Sequence, residues 1–497
     1  MANSPGKATR PEWATLAAVI VFGLGLRLAA TGGDLWIDEV WTLFNLDIAR
    51  TLTSAADWTP LFFHTNTHAL NSLYLATLGP DASVFAMRLP SVIFGTAMVL
   101  MAAAISWRKS PREGLIAALM IVVSYPMVTY GAEARGYALM MLAALAAYYL
   151  LETWLEDPRP KRAMGFVIVC LLGFAAHQSF VVVLAGLGLW AMAALFRTQA
   201  SFIDVVAQLT KLFGVQAIAV VSFGAVAWGN IVFGGQEILP LIQSIAVMGE
   251  VTFGIDPMTG IFFSPIIAAI LGLVLAYAIW LTRKRSELSW IFFGFVVIAY
   301  PLGILLFAPD LHTLPRYFIP SALFALMAVA AALSQMLGQS PWRRRGAAFI
   351  ILLFCLSNGF LLGKLFTTGR GAPAEAVAMI AEDTNKNTGP ARVAGYHPFS
   401  VKMMVEHFAR AQGLEKSLTF VSPDEDAKNP AEWFIDGGFF AATNKNTKAP
   451  PGWFVKNHFS LTGGKEKAGY ELRASFPHWG LSGDSWYVYR LKKPGGK

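Results

Sequence analysis

In a chain of 497 residues, 55% are hydrophobic and only 14% are charged, and the apolar residues come in runs long enough to cross a hydrocarbon core. That composition excludes an ordinary soluble domain and indicates a polytopic membrane protein. The formal net charge of +8 would suit a nucleic-acid partner, but the Lys and Arg residues gather in short loops between apolar runs, as orientation signals do, and nucleic acid is excluded on that ground.

In chain order, the hydrophobic pattern predicts eleven spans, at about 13–31, 86–107, 114–130, 136–153, 163–177, 179–196, 212–233, 261–282, 289–308, 316–337 and 346–366. Basic loops follow every second span: Arg108-Lys109 with Arg112, Arg159 with Lys161-Arg162, Arg197 to Lys211, Arg283-Lys284-Arg285 and Arg343-Arg344-Arg345. With Lys7 and Arg10 ahead of the first span, the positive-inside rule puts the N-terminus and these loops in the cytoplasm and the alternate loops outside. The first span has no small-residue cleavage site after a short apolar core and reads as a retained anchor. His177-Gln178 is the polar break that separates two spans within 163–196; a single span there would turn every later basic loop outward. Cys170 and Cys355 both lie in apolar runs, so they read as packing residues and not as a disulfide framework.

The first outward loop, 34–85, carries helical patterning: Val40, Phe44, Ile48 and Leu52 recur at i+4, and Thr59-Pro60 reads as an N-cap with Pro at the first helical position. His64, Thr67, His68 and Asn71 form a polar stripe opposite Phe62, Ala69 and Leu73, as expected of helices lying along the membrane surface. From 370 to 497, charged and turn-forming residues rise and no span follows. ARVAGY, SLTFV, EWFIDGG and DSWYVYRL read as strands and VKMMVEHFARAQG as a helix, which predicts a soluble α/β domain outside the membrane. The expected fold is therefore a polytopic all-α transmembrane domain, 1–369, with an α/β domain at 370–497.

Ionisable residues crowd the outward face: Asp38, Glu39, His64, His68, Arg88, Glu133, Arg135, His177, His312 and Arg316. Such residues near membrane depth point to a functional site. The Asp38-Glu39 pair offers a general base at a partly desolvated interface, or else it only caps the helix it begins. Arg88, Arg135 and Arg316 run against the topology bias; paired guanidinium donors match phosphate oxygens, although snorkelling or pairing with Glu133 is the plainer account of any one of them. Glu133, Arg135 and Tyr137 in GAEARGY either hold their own loop or touch substrate. His64 and His68, four residues apart, lack the Glu of HExxH; a divalent metal shared with Asp38 or Glu39 fits a mixed imidazole and carboxylate set, and hydrogen bonding to a sugar fits these histidines better. Trp36, Trp41 and Trp58 either seat the loop in the bilayer or flank an isoprenoid chain or sugar ring.

LWIDEVWT after the first span, NTHALNSLYL followed by FAMRLPSVIFG, EARGYAL and LPRYFIP, in this order and sidedness, resemble the membrane glycosyltransferases of the GT-C class. Within it, the resemblance is to the family of dolichyl-phosphate-mannose protein mannosyltransferases and bacterial aminoarabinose transferases, glycosyltransferase family 39. It covers roughly residues 10 to 370; the C-terminal domain matches less clearly, and no role is carried onto it. The order TPLFFHTNTHALN departs from relatives in which prolines follow a histidine, which leaves the register between His64 and His68 open and favours His68. The resemblance implies an integral enzyme of a bacterial inner membrane whose site faces the periplasm or cell exterior. It would take a sugar from a polyprenyl-phosphate carrier and pass it, with inversion, to a protein, lipid or glycan acceptor. Asp38 would be the general base, with Glu39 orienting it or sharing that role, and Arg316 with Arg88 or Arg135 the phosphate clamp; Tyr317 and Tyr137 would add hydrogen bonds, and His64, His68, Asn71 and Glu133 would contact substrate. The rival is a transporter or flippase for a lipid-linked sugar, which should show repeated halves and polar groups at the midplane; neither feature is visible. A third reading, an assembly scaffold built around the C-terminal domain, leaves the carboxylates without a purpose.

Overall fold

The computed structural model describes residues 9–51, 68–79, 82–199, 201–227, 239–257, 265–283, 288–384, 389–438 and 469–492. The chain folds as two compact units. The first runs within residues 1–31, 59–232 and 238–362; the second joins Gly32–Trp58 to Gly363–Lys497, so the beginning of the first long loop belongs with the C-terminal domain.

The first unit is helical: α1 (Arg10–Ala30), α3 (Ala69–Leu78), α4 (Val84–Trp107), α5 (Pro111–Val123), α6 (Tyr125–Thr129), α7 (Tyr137–Glu156), α8 (Pro160–Ala176), α9 (Phe180–Thr198), α10 (Phe202–Ala227), α11 (Leu241–Thr252), α12 (Pro265–Thr282), α13 (Ser289–Gly294), α14 (Tyr300–Phe307), α15 (Ile319–Leu337) and the start of α16 (Pro341–Thr368). Among the described residues, eight helices are long and apolar enough to cross a membrane. At two of the other three positions where the sequence predicts spans the helices are shorter, α5 with 13 residues and α8 with 17, and at the third stands α12, with 18. The protein is a polytopic all-α membrane protein with a small α/β domain.

Burial separates core from lipid-facing helices. Every residue of α15 from Ile319 to Ser334 is buried. By contrast α10 exposes Phe202, Ile203, Ile218 and Val221, an apolar surface suited to hydrocarbon. The α1 start is set by Thr9 and Glu12, whose carboxylate accepts from the Thr9 backbone N–H at 2.7 Å and its hydroxyl at 3.0 Å.

The predicted span at 114–130 is interrupted because Pro126 cannot continue the α5 ladder. Ser124 turns to extended backbone (φ −61°, ψ 121°), and the chain restarts as α6. The break frees the Tyr125 N–H, which donates to Oδ1 of the fully buried Asn358 of α16 at 2.8 Å. A second irregularity, the π-helical turn Phe295–Ala299 between α13 and α14, leaves the Val296 carbonyl to the Ser321 hydroxyl at 2.6 Å. A two-residue ribbon pairs Leu239–Pro240 (β1) with His312–Thr313 (β2).

In the second unit, α2 (Ile37–Thr51) and the end of α16 accompany a five-stranded mixed sheet. Its strands are β3 (Ala391–Gly395), β4 (Leu418–Phe420), β5 (Trp433–Gly438), β6 (Tyr470–Phe476) and β7 (Ser485–Leu491), in the order β4-β3-β5-β7-β6. The first three are parallel and the last two antiparallel. Ala394, Val421, Ala431, Phe434, Tyr470 and Tyr489 form a core cluster, and α17 (Pro373–Thr384), α18 (Pro398–Ala411) and α19 (Pro423–Lys428) complete the domain. The four strands and the helix read from sequence are present, whereas β6, α17 and α19 went unread.

Replacing Asn358 by Leu strands the Tyr125 N–H in an apolar interior. The expected loss is about 1–3 kcal/mol, read as a lower unfolding midpoint of the purified protein in nanodiscs; an unchanged midpoint would mean that another acceptor takes over.

Candidate functional site

The loop from Gly131 to Gly136 joins α6 to α7 and is held from three sides within the first unit. Asn71 of α3 donates through Nδ2 to the Ala134 carbonyl at 2.6 Å. Ser91 of α4 donates to the Arg135 carbonyl at 3.2 Å. Gly136 passes so close to the end of α8 that an added Cβ would stand 2.0 Å from the Ala176 carbonyl oxygen, so no other residue fits there. The sequence GAEARGY thus gives Glu133 and Arg135 fixed backbone positions, and both side chains are buried.

Arg135 is the hub of this arrangement. Its Nη2 donates to Nε2 of His68, the residue that precedes α3, at 2.5 Å, and its guanidinium lies 5.4 Å from the centre of the Tyr137 ring. The His68 ring is 4.8 Å from His177 and 5.1 Å from Tyr137, and Tyr137 is 4.5 Å from His177. Tyr317, in the 3₁₀ turn Pro315–Phe318 that also carries the buried Arg316, reaches His177 at 6.4 Å. Arg88 donates to the Thr31 carbonyl at 2.9 Å from α4, one turn before Ser91.

Both histidines are neutral. Burial first, then the Arg135 and Arg316 charges, lower His177 to about 3. Its Nδ1 accepts from the Ser179 backbone N–H at 3.0 Å, so its proton sits on Nε2. Burial, Arg135, His177 and Arg316 likewise push His68 well below the ordinary histidine range, with the Ala176 carbonyl working in the opposite direction.

The carboxylate pair lies in the second unit, in the first turn of α2, and both side chains are buried. The two residues do different things. Glu39 returns a carboxylate oxygen to the Trp36 N–H at 3.2 Å, the reciprocal half of a capping box, which is the plainer of the two roles read from sequence. Asp38 starts the turn, and its carbonyl accepts from the Thr42 hydroxyl at 3.0 Å.

His64, Trp58 and Thr59-Pro60 lie outside the described residues, as does the side chain of His312. His68 does not suit a metal, because a guanidinium already meets its Nε2 and would repel a second cation. Among the described residues, no three His, Cys, Asp or Glu side chains converge as a ligand set. Sequence reasoning passed over Arg27. It is fully buried in α1, donates to the Gly23 carbonyl at 3.1 Å and packs where an added Cβ on Gly95 or Gly131 would come within 3.0 Å of its Nε. The glycines at 23, 95 and 131 that make room for it are spread over three segments, and nothing in the local pattern links them.

No family model matches the chain, and no curated protein does. Solved structures similar to it include the archaeal oligosaccharyltransferase AglB from Archaeoglobus fulgidus, in complex with an inhibitory peptide and a dolichol-phosphate, at 12% identity and a TM-score of 0.48 over 86% of this chain and 69% of that one. Another is ArnT from Cupriavidus metallidurans bound to undecaprenyl phosphate, at 12% identity and 0.47 over 97% and 98%. A third is the arabinosyltransferase EmbB from Mycobacterium smegmatis, at 14% identity and 0.40 over 87% and 40%.

Neutral buried histidines make stability depend on pH in a stated direction. An unfolded chain binds protons on His177 below about 6.5 that the folded chain refuses until about 3, so stability is lost as pH falls through that window, by up to about 1.4 kcal/mol per pH unit, and the lowered His68 works in the same direction. The unfolding midpoint should therefore drop between pH 7 and 4.5. His177→Asn, which keeps an acceptor for Ser179, should shallow that slope; an unchanged slope would mean that His177 is protonated in the fold.

Proposed function

We propose that the chain is an inverting glycosyltransferase of the membrane that moves a sugar from a polyprenyl-phosphate-linked donor to an extracytoplasmic acceptor. One observation carries this reading: among the described residues, the buried guanidinium groups of Arg88, Arg135 and Arg316 and the buried carboxylate of Glu133 belong to the Gly131–Gly136 loop and the elements that hold or face it, beside histidines lowered by burial. Buried guanidinium groups at membrane depth suit a phosphate anion, whose oxygens their forks match.

In this mechanism Asp38 takes the proton from the acceptor hydroxyl as that oxygen attacks the anomeric carbon. The bond from that carbon to the phosphate oxygen breaks on the opposite face, and the sugar leaves the carrier with inverted configuration. The electron pair stays with the lipid phosphate, whose growing charge Arg316 and Arg135 stabilise, with Arg88 behind them. Tyr317 and Tyr137 donate hydrogen bonds to the departing phosphate. His177, lowered to about 3 by burial and the nearby arginines, stays neutral near neutral pH, and His68 is lowered in the same direction, which leaves base chemistry to the carboxylate. His68 and Asn71 act by holding the loop, since their side chains are engaged with Arg135 and Ala134. Glu39 fixes the turn that presents Asp38. The sequence order of the resembling motifs supports the same assignment, with the site on the periplasmic or outer side of a bacterial inner membrane.

Asp38→Asn should lower transfer by about 10²–10⁴-fold, the contribution of a general base, with affinity for undecaprenyl phosphate unchanged. Arg316→Ala should instead weaken undecaprenyl phosphate binding, measured on the same purified protein. If Asp38→Asn transfers sugar at the wild-type rate, the base assignment falls. If the protein moves a labelled lipid-linked sugar across liposomes without consuming it, the chain is a flippase.

A further inference from the structure

We propose that the C-terminal α/β domain is the mount of helix α2 and thereby sets the position of Asp38, with Phe399 of α18 as the principal positioning residue. Within the second unit α2 is gripped at several points along its length. The Phe399 ring meets Trp41 edge-on at 5.5 Å and Phe44 at 5.9 Å. Arg410, one helical stretch further along α18, pairs with Asp47 at 3.0 Å. Ahead of α2, the Asp34 carboxylate accepts from the Ala374 N–H at 2.9 Å and so caps the start of α17, while Gly33, in the left-handed conformation at φ +81°, lies against Gly369.

The arrangement on the helix gives this grip a direction. At 3.6 residues per turn, Trp41, Phe44 and Ile48 share one face, with Asp47 at its edge. Glu39, Thr42, Leu46 and Ala49 lie on the other face, with Asp38 at the near end of it, and all five are buried. The domain therefore holds α2 by the face that does not carry the carboxylates. Aromatic pairs of this geometry contribute beyond the area they bury, whereas the Asp47–Arg410 pair, with both side chains substantially exposed, adds register more than stability. A capping bond, two ring contacts and an ion pair, spread over residues 34–47, fix both the rotation and the axial position of a helix of 15 residues. Rotation by one residue would turn Asp38 by about 100°.

This inference rests on the assignment of Asp38 as the base, but its structural arm stands apart from it. Amide hydrogen exchange of the full chain in nanodiscs is measured for wild type, Phe399→Ala, Phe399→Leu, Arg410→Asp and the charge swap Asp47→Arg with Arg410→Asp. Exchange across 37–51 should rise about tenfold in Phe399→Ala, as expected for a locally released helix, with α4, α7 and α15 unchanged; Phe399→Leu should restore part of the protection, and the charge swap should reverse the effect of Arg410→Asp. In transfer from an undecaprenyl-phosphate-linked sugar, Phe399→Ala should lower kcat at least tenfold with donor KM unchanged. Unaltered exchange across 37–51 in Phe399→Ala overturns the mount, as does a kcat equal to wild type alongside raised exchange. Wild-type transfer by Asp38→Asn would instead overturn the base assignment while the exchange data still decided whether the domain holds α2.

Discussion

The buried hydrogen bond from Arg135 to His68 is the contact on which the membrane unit's polar site depends. A guanidinium withdrawn from water in an apolar bundle is costly unless its donors find acceptors. A neutral imidazole supplies one without cancelling the charge, which a carboxylate would do. His68 can serve because burial and the surrounding arginines keep it unprotonated. Everything nearby follows from holding these two side chains face to face. Asn71 and Ser91 clamp the carbonyls on either side of Arg135, and Gly136 lets the loop touch the end of α8. The Tyr137 and His177 rings close around the imidazole. The result is a polar loop whose backbone and rings are held from several sides in a buried setting.

Much of this was legible in the sequence because each signal was local. Arginines placed against the topology bias marked Arg88, Arg135 and Arg316, and the polar break at His177 correctly separated α8 from α9. The strands ARVAG, LTF, WFIDGG and SWYVYRL announced themselves by apolar and β-branched content between turn residues. Long-range pairings were not legible. The break at Ser124 follows from Pro126, yet the pattern read through it as one span, because apolar residues continue on both sides and the compensating acceptor, Asn358, lies 233 positions away. Arg27 had the same difficulty: its room is made by glycines in three segments. Strand β6, YELRASF, went unread, although the alternation of its charged and apolar residues is what a half-buried strand in an antiparallel pair should show.

The carboxylate pair is the clearest case of a local signal that needed geometry to resolve. Adjacent Asp38 and Glu39 are equivalent in the sequence as bases and as helix caps. In the fold, the longer side chain of Glu39 reaches back to the Trp36 N–H, a bond that an aspartate in its place would be too short to make in the same way. The capping reading therefore holds for Glu39, and its chain length, not its acidity, suits it to that role.

The division into two units also gives the first long loop a different meaning. A loop of this composition after a first span reads as a surface helix resting on lipid, with its tryptophans as bilayer anchors. Trp41, however, packs on Phe399, and Asp47 pairs with Arg410, so the sequence features that looked like membrane seating are interface residues for a domain that begins some three hundred residues later. Amphipathic patterning specifies that a face must be covered and is silent on what covers it. For α2 the cover is protein, and a helix held by a folded sheet domain keeps a defined rotation, which a helix floating in the head-group region does not. A general base must be placed to within a fraction of an ångström to act. A sheet domain with its own core of Phe434, Tyr470 and Tyr489 can fix that rotation for the proposed base without relying on the bilayer to do so.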